Sequence, residues 1–335
     1  MRIVTFILLA SLMGLSSCNW IKREGGLGNL VGLDSIGAKN LPKPLTADDI
    51  ILEKELLYDQ HTLADTYPYK DTTRTFQWEK VRVRIAILEN IQRRKSKWAI
   101  LQNYKNRNSE APLVRTYVRN SYNRVSDTLG VERYQSVPLY MLSDSGVPER
   151  YGRDGSLVKI IDPGDNSKFM TIENVNFRGR WLVPKKYTKT ISDTMVFHKA
   201  IFVDLTNQNI ATAEKSGNKW LIRSMNPATT GLHRPPYQQE TPTGIFVVQE
   251  KKPKMIFLKD GSTETGGFAP WANRFTNGAY IHGVPVNAPG KNMIEFSSTL
   301  GTTPRSHMCV RNATSHAKFV YDWEIIEGTI IFVFN

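Results

Sequence analysis

The chain contains two cysteines, and their positions limit how its fold can be held together. Cys18 follows a segment in which one charged residue, Arg2, precedes an apolar run at 3–10 and then small residues. This order is typical of a secretory signal peptide, and the apolar run is too short to span a membrane. With Cys18 at the cleavage point, Cys309 remains alone, so an intramolecular disulfide is not available. We therefore expect the exported chain to fold through its apolar core without a disulfide.

The residues before Cys18 indicate how the chain is retained after export. Leu-Ser-Ser-Cys at 15–18 resembles a bacterial lipoprotein box, in which the cysteine becomes the lipidated first residue. An ordinary secretory signal with a chance cysteine is the alternative. The resemblance implies a signal peptide over 1–17 and acyl chains on Cys18, each buried methylene contributing about 0.8 kcal/mol to membrane binding. By the same resemblance, Asn19 in place of aspartate favours the outer membrane over the inner one, with the protein facing the periplasm.

The part after Cys18 is predicted to contain a tether and then a helical region. Residues 18–45 hold a stretch rich in Gly, Asn and Pro without an apolar period, which predicts a flexible tether. Residues 46–131 are predicted to be α-helical, with a first helix continuing toward Tyr104 and a second helix over about 112–129. The apolar positions that suggest the two helices are Trp78, Val81, Ile85, Leu88, Trp98, Leu101, Leu113, Tyr117, Tyr122, Val125 and Leu129.

A different pattern begins at Glu132, where short apolar runs alternate with turn residues. This pattern is typical of small all-β units. Residues 132–190 resemble a bacterial SH3-like barrel, with Trp181 and Tyr187 near its closure. The resemblance implies a module that binds cell-wall peptides if Tyr140, Tyr151 and Tyr187 are exposed together, whereas Trp181 is equally compatible with a core position. The predicted fold is therefore multidomain: an N-terminal α-helical region, a small SH3-like β-barrel and a C-terminal mainly-β domain.

The net charge of +13 is concentrated in one stretch. Between Arg74 and Asn108, ten Lys or Arg face two Glu, a net of +8. A solvated helical face is the simplest interpretation, and attraction to an anionic envelope surface is the alternative. The sequence shows no nucleic-acid recognition motif, so we expect no nucleic-acid partner.

The last part, residues 194–335, contains the candidate catalytic residues. Cys309 lies in Ser306-His307-Met308-Cys309-Val310-Arg311-Asn312, downstream of Ile281-His282-Gly283. A lone cysteine with a histidine elsewhere in the chain is a candidate nucleophile and base. No histidine pair has a metal-ligand spacing, and neither a metal nor a cofactor is expected.

Five sequence marks in this part together resemble the L,D-transpeptidase catalytic domain of the YkuD type, over roughly 140 residues. They are Asn207-Gln208, Thr241-Pro242-Thr243-Gly244, His282-Gly283, the cluster around Cys309, and the closing strand at 328–334. The resemblance implies that Cys309 is the nucleophile and His282 the general base, oriented by the carbonyl of Gly283. It also implies a positioning role for His307, and pocket-shaping roles for Ser306 and for Arg311 through substrate carboxylates.

Elementary chemistry explains how a cysteine, a histidine, backbone N–H groups and an arginine could act together on a peptide substrate. A free thiol has a pKa near 8.5, so we expect a neighbouring imidazole to take its proton and form a thiolate–imidazolium pair. The N–H groups of Met308, Cys309 and Val310 are candidates for stabilising an oxyanion, typically by about 3–4 kcal/mol per donor. Arg311 is expected to alternate back toward Cys309 and to bind a carboxylate in bidentate fashion.

Other candidate residues have less defined roles. Met308 occupies the position where the resembled family has glycine, so it is expected to alter the oxyanion geometry or to cover the acyl-donor pocket. Asn312 is the last residue of the segment around Cys309, and Tyr280 and Trp271 precede His282. They are candidate substrate-cleft residues, with Tyr280 and Trp271 equally compatible with packing.

The resemblance implies an enzyme of peptidoglycan synthesis. It would release the terminal D-alanine of a tetrapeptide stem through an acyl-enzyme on Cys309 and pass the acyl group to an amine, giving a 3-3 crosslink or protein attachment. Transfer to water would give an L,D-carboxypeptidase. The alternative from another class is a non-catalytic lipoprotein that tethers the membrane to the wall. The implied partners are peptidoglycan stem peptides, and the membrane through lipidated Cys18.

Overall fold

The computed structural model describes residues 43–93 and 96–335. The predicted signal peptide, the lipidation of Cys18 and nearly all of the tether lie outside these residues and stay predictions. Within the described part, the chain forms twenty-two strands, two α-helices and three short 3-10 helices. Neither of the two α-helices is long and apolar enough to cross a membrane.

Strands dominate the chain from Ile51 to Phe334; one short helix precedes the first strand, and helices interrupt the strands at four places. The α-helices are α1 (Trp78–Gln92) and α2 (Thr314–Trp323), and the 3-10 helices cover Ala47–Asp49, Tyr104–Asn106 and Lys185–Tyr187. The strands are β1 (Ile51–Lys54), β2 (Thr66–Tyr69), β3 (Thr72–Thr75), β4 (Lys97–Leu101), β5 (Tyr117–Arg119), β6 (Val125–Asp127), β7 (Ser136–Leu139), β8 (Arg150–Arg153), β9 (Leu157–Asp162), β10 (Phe169–Asn174), β11 (Arg180–Pro184), β12 (Thr188–Thr190), β13 (Lys199–Asp204), β14 (Asn209–Ser216), β15 (Lys219–Pro227), β16 (Gly244–Val247), β17 (Glu250–Leu258), β18 (Thr265–Thr276), β19 (Ala279–His282), β20 (Val286–Asn287), β21 (Val310–Arg311) and β22 (Thr329–Phe334).

The centre of the C-terminal part is a six-stranded sheet in the order β1-β15-β14-β13-β22-β16. Both faces of its neighbouring parallel strands β13 and β22 are covered, so these two strands are almost continuously apolar instead of alternating. On β13, Phe202 faces the core that includes α1, whereas Ile201 and Val203 face a second core shared with β19 and α2. The sheet therefore supports the second sheet, β17-β18-β19-β21, from one side.

The first predicted helix is confirmed as α1, but it ends at Gln92. Ile85 and Leu88 are fully or almost fully buried against the six-stranded sheet, and the guanidinium of Arg84 lies 3.9 Å from the Phe334 ring centroid. At its centre the helix is therefore a core element and not a solvated face. The predicted continuation toward Tyr104 is wrong, because Lys97–Leu101 form strand β4.

The second predicted helix, over 112–129, is also wrong. This segment contains the antiparallel strands β5 and β6 instead, joined by a turn at 120–123. The Asn120 side chain accepts the N–H groups of Tyr122 and Arg124, and Asn123 has a φ of 60°, as asparagine in a turn permits. Leu129 is 65% exposed, so the helical spacing of apolar residues does not correspond to a buried face. With one α-helix in the described residues before 132, the N-terminal part is not an α-helical region.

The expected short strands between 132 and 190 are confirmed. They form the sheet β11-β10-β9-β4-β12 and the β7–β8 ribbon around a small core of residues such as Val137, Val158 and Ile172. Strand β4, which precedes the predicted boundary, joins this sheet between β9 and β12. Tyr140, Tyr151 and Tyr187 are buried, so they do not form an exposed aromatic groove. The SH3-like identity of this unit stays a prediction.

Candidate active site

The segment that carries Cys309 is held between two neighbouring stretches of backbone. On one side, Thr229 and Arg311 exchange two backbone hydrogen bonds of 2.9 and 2.8 Å, and the N–H of Ser306 donates to the carbonyl of Thr230 at 3.0 Å. On the other side, β21 pairs in parallel with β19, so that Val310 lies beside Ile281 and Arg311 beside His282. This pairing brings the candidate nucleophile and the candidate base onto adjacent segments.

Cys309 lies in a mostly apolar environment. It is 9% exposed and packs with Ala272, Tyr280 and Met255. Its thiol donates to the carbonyl of Gly278, with 3.7 Å between Sγ and the oxygen. Burial raises the pKa of the Cys309 thiol, whereas the backbone of Tyr280 and the charge of Arg311 act in the opposite direction. The thiol is therefore neutral in the resting site.

His282 is buried and has a defined tautomer. Its Nδ1 lies 2.6 Å from the carbonyl oxygen of Gly283. Because a carbonyl only accepts hydrogen bonds, Nδ1 carries the hydrogen and the lone pair of Nε2 remains for a proton. Burial lowers the pKa of His282 to about 4, the Gly283 hydrogen bond opposes this shift, and the Arg311 charge adds to it. His282 is therefore neutral at physiological pH.

These two shifts argue against the expected thiolate–imidazolium pair. An ion pair needs a lowered thiol pKa and a raised imidazole pKa, and burial moves each group the other way. The resting arrangement is a neutral thiol near a neutral base.

The backbone at Met308 adopts the conformation for which glycine is suited. Met308 has a φ of 98°, in a region that residues with a Cβ rarely adopt. The hydroxyl of Thr241 accepts the N–H of Gly231 and donates to the carbonyl of Met308, each at 2.8 Å. A Cβ on Gly231 would lie 2.8 Å from the Met308 Cα, so this glycine permits a close approach. The N–H groups of Met308 and Cys309 have no acceptor among the described residues, which leaves them available for an oxyanion.

We expect Met308→Gly to be more stable than Met308→Ala. Both variants remove the Met308 side chain from its contacts with the core, but alanine retains the penalty for a positive φ and glycine does not. The free energy of unfolding should differ by about 1–2 kcal/mol in favour of glycine. Denaturant unfolding of the two variants measures this difference, and equal stabilities would contradict a strained backbone at this position.

Arg311 lines a cavity of about 730 Å³ beside the nucleophile segment. Arg234 and Arg305 also line it, and none of its lining residues is acidic. Within the described chain, the three guanidinium groups form no ion pair, and the buried Nε of Arg311 has no hydrogen-bond partner. Burial lowers the pKa of Arg311, although a guanidinium stays charged under any physiological condition. This cavity therefore has the charge and shape to accept an anionic ligand.

The remaining predicted site residues occupy different surroundings. The hydroxyl of Ser306 donates to the carbonyl of Cys309, and the N–H of Asn312 donates to the carbonyl of His282 at 2.9 Å. His307 is exposed, and its Nε2 donates to a carboxylate oxygen of Asp260 at 2.9 Å. Its partner lies in the β17–β18 loop, so His307 contacts this loop.

The two aromatic candidates have different surroundings, because Tyr280 packs with Cys309 whereas Trp271 contacts helix α2. The hydroxyl of Tyr280 lies 3.0 Å from that of Tyr104, while the Trp271 ring packs on Tyr321 of α2, 5.4 Å between centroids. The placement of both in a substrate cleft therefore stays a prediction.

The sequence marks at Asn207-Gln208 and Thr241-Gly244 contain supporting residues that were not among the predicted site residues. Gln208 accepts the N–H of Thr230 at 3.0 Å, and Thr230 in turn binds the backbone of Ser306. Thr241 binds the carbonyl of Met308 as described above. Their position in the recognised motifs was the available signal, but their role depends on contacts across 22 or more positions of the chain.

Two further observations bear on the chemistry. Within residues 43–93 and 96–335, no group of three or more His, Cys, Asp or Glu residues is arranged to hold a metal ion. Residues 198–333 match the family model of the YkuD L,D-transpeptidase catalytic domain. This match covers nearly all of the C-terminal part, 194–335, for which the sequence predicted a resemblance to that family.

Several solved structures are similar to the chain. The fused Zn-dependent amidase/peptidase/peptidoglycan-binding protein of Clostridium acetobutylicum is 20% identical, covers 42% of this chain with a TM-score of 0.30, and is matched over 53% of its own length. An L,D-transpeptidase from Mycobacterium smegmatis is 14% identical, over 54% of this chain and 91% of that chain, with a TM-score of 0.35. One from Mycobacterium tuberculosis is 15% identical, over 55% and 92%, with a TM-score of 0.32. The comparison with curated proteins gives no match.

Proposed function

We propose that this protein is a peptidoglycan L,D-transpeptidase that works through an acyl-enzyme on Cys309. The observation that carries the proposal is the pairing of β19 with β21, which puts His282, with its Nε2 lone pair free, beside the segment of Cys309. The family match over residues 198–333 supports the reaction class. We further propose that the protein is a lipoprotein anchored through Cys18 and faces the periplasm from the outer membrane.

In the first half-reaction, Sγ of Cys309 attacks the carbonyl carbon of the peptide bond before the terminal D-alanine. The thiol proton passes to Nε2 of His282, and the negative charge on the carbonyl oxygen is stabilised by the N–H groups of Met308 and Cys309. The C–N bond then breaks, and His282 returns the proton to the leaving amine of D-alanine. The products are a thioester and a neutral imidazole, ready for the second half-reaction.

In the second half-reaction, an acceptor attacks the thioester. A neutral amine of another stem peptide forms the new C–N bond, its proton is taken by His282, and the C–S bond breaks. The proton then returns to the thiolate. Attack by water follows the same steps and yields a carboxylic acid, which would make the enzyme an L,D-carboxypeptidase.

The cavity with Arg311, Arg305 and Arg234 is the proposed site for the donor stem. Stem peptides of peptidoglycan carry free carboxylates, and guanidinium groups bind carboxylates in bidentate fashion. Because the three arginines have no carboxylate partner within the described part of the chain, a stem carboxylate does not have to displace one. This arrangement favours a multiply anionic donor over a neutral peptide.

The test uses two readouts on the purified protein. Intact-mass measurement after incubation with a carbapenem reports whether the thiol can be acylated, and D-alanine release from a disaccharide tetrapeptide reports turnover. We expect an adduct of one carbapenem and steady D-alanine release in the native protein, and neither in Cys309→Ala. A folded native protein that shows neither readout would contradict the proposal and favour a non-catalytic wall tether.

A further inference from the structure

Residues 51–63, which we name the strap, lie outside the family match but add to its central sheet. Strand β1 pairs in parallel with β15, and the chain after β1 continues along the same edge. There the N–H of Leu57 donates to the carbonyl of Arg223 at 2.9 Å, and the N–H of Leu63 donates to the carbonyl of Met225 at 2.9 Å. A segment from outside the matched domain therefore forms one edge of the catalytic sheet.

The strap also contacts an exposed loop, residues 288–296, that follows β20. Nε2 of His61 lies 3.0 Å from a carboxylate oxygen of Glu295, and because a carboxylate only accepts hydrogen bonds, Nε2 is the donor. The His61 ring also lies 4.7 Å from the ring of Phe296, centroid to centroid. His61 has a φ of 54°, a left-handed conformation that costs energy in a residue with a Cβ. The two contacts to the loop offset this cost.

The loop is held on its other side by the first turn of α2. The residue before this helix is Ala313, which has no side chain that can cap it, and the carboxylate of Glu295 takes this role. One Glu295 oxygen accepts the N–H of Ser315 at 3.1 Å, and the hydroxyl of Ser315 donates to the other oxygen. The hydroxyl of Tyr58 lies 2.6 Å from that of Ser315, so the strap contacts this cap through two side chains.

The loop forms one wall of the cavity of about 730 Å³ that contains Arg311. Ile294 and Phe296 line this cavity, and both are exposed, so burial in a core does not fix their positions. Glu295 lies between them, and its carbonyl accepts the N–H of Thr314 at 2.8 Å. An exposed loop with few packing contacts opens readily when the polar contacts that hold it are removed. The contacts of Glu295 with α2 and with the strap therefore keep this wall in place.

We propose that His61 is a positioning residue, which holds the 288–296 loop in place as a wall of the Arg311 cavity. That the cavity binds a stem peptide rests on the proposed function. A ligand that needs this wall binds in proportion to the fraction of time that the loop is in place. The described contacts of His61 are to the loop and not to Cys309 or His282, so the strap affects substrate affinity and not the chemical step.

The first readout is limited proteolysis, which does not depend on turnover. Lys291 is exposed in the loop, so trypsin cleavage after Lys291 reports how often the loop leaves its place. We expect this cleavage to be at least about tenfold faster in His61→Ala than in the native protein, because the loop loses its contact with the strap. Mass spectrometry of the fragments identifies the cleavage site.

Glu53→Ala is the matched control. Glu53 also lies in the strap and is exposed, but its carboxylate pairs with Lys219 at 2.7 Å and not with the loop. Exposed ion pairs contribute little to stability, so we expect Glu53→Ala to be cleaved after Lys291 at the native rate. Thermal unfolding verifies that both variants are folded.

The second readout is the steady-state rate of D-alanine release from disaccharide tetrapeptide. We expect KM in His61→Ala to rise about tenfold while kcat stays within about twofold of the native value, a split that a general loss of stability does not produce. The proposal is overturned if His61→Ala is cleaved at the native rate, if faster cleavage occurs without a higher KM, or if kcat falls instead. A native protein that neither releases D-alanine nor forms a carbapenem adduct overturns the proposed function alone, and cleavage after Lys291 then decides whether the strap holds the loop.

Discussion

Replacing His282 with alanine is expected to slow the acylation of Cys309 by about three orders of magnitude, within the range typical of a lost general base. Because the Cys309 thiol is neutral in the resting site, attack requires a group that removes its proton, and the free Nε2 of His282 is the group available for this. The rate of carbapenem adduct formation, followed by intact mass, measures the effect directly. His198→Ala, which changes an exposed histidine, is the matched control and should react at the native rate.

The pH dependence of Cys309 acylation and alkylation distinguishes a neutral Cys309–His282 pair from a thiolate–imidazolium pair. Since the pKa of His282 is lowered to about 4, its base form is already present above pH 5, and protonation of His282 should not reduce acylation between about pH 7 and pH 5. The raised pKa of Cys309 means that alkylation by iodoacetamide should accelerate with rising pH, without a plateau at low pH. A thiolate that reacts at a constant rate from about pH 5 upward would instead indicate the thiolate–imidazolium pair.

The candidate site could be predicted where short motifs carry the chemistry. Cys309, His282, Ser306 and Arg311 belong to two motifs whose segments pair directly as neighbouring strands, so sequence order was enough to assemble them. The burial of Cys309 and His282 could not be predicted from these motifs. The loss of hydration that keeps the thiol and the imidazole neutral comes from contacts such as Ala272 and Tyr280, which local sequence does not reveal.

The fold before residue 132 was harder to predict for a similar reason. Strand β1 is short and largely exposed, and it is a strand because it adds in parallel to the edge of β15, more than 160 positions away. The 112–129 segment forms a turn at Asn120 and Asn123 instead of the predicted helix. Its apolar residues have a helical spacing, but no packing partner among the described residues supports a helix there. Helix α1 was predictable because its apolar spacing coincides with a buried face.

Replacing Asp154 with alanine is expected to lower the free energy of unfolding by about 3–5 kcal/mol, as for the loss of one partner of a buried ion pair. Asp154 is fully buried in the turn between β8 and β9, and one of its oxygens accepts from Arg274 at 2.7 Å and from the N–H of Asn277 at 3.0 Å. In the variant, the charge of Arg274 loses this partner in a buried position and retains, among the described residues, the Glu250 carboxylate, 3.4 Å from its Nε. Denaturant unfolding measures the loss, and Asp162→Ala, an exposed aspartate of the same sheet, should change stability by less than about 1 kcal/mol.

The same turn connects the small β unit to the wall of the thiol site. A Cβ on Gly155, which has a φ of 84°, would lie 1.8 Å from the carbonyl oxygen of Phe275, so the turn fits closely against the end of β18. Asn277, bound by Asp154, is followed by Gly278, the acceptor of the Cys309 thiol. Loss of the Asp154 contacts should therefore also make Cys309 more reactive toward iodoacetamide in the folded protein.

Adding Arg274→Met should recover part of the lost stability, because it removes the uncompensated charge. A loss below about 1 kcal/mol in Asp154→Ala, with unchanged thiol reactivity, would show that this turn does not hold the two parts of the molecule together.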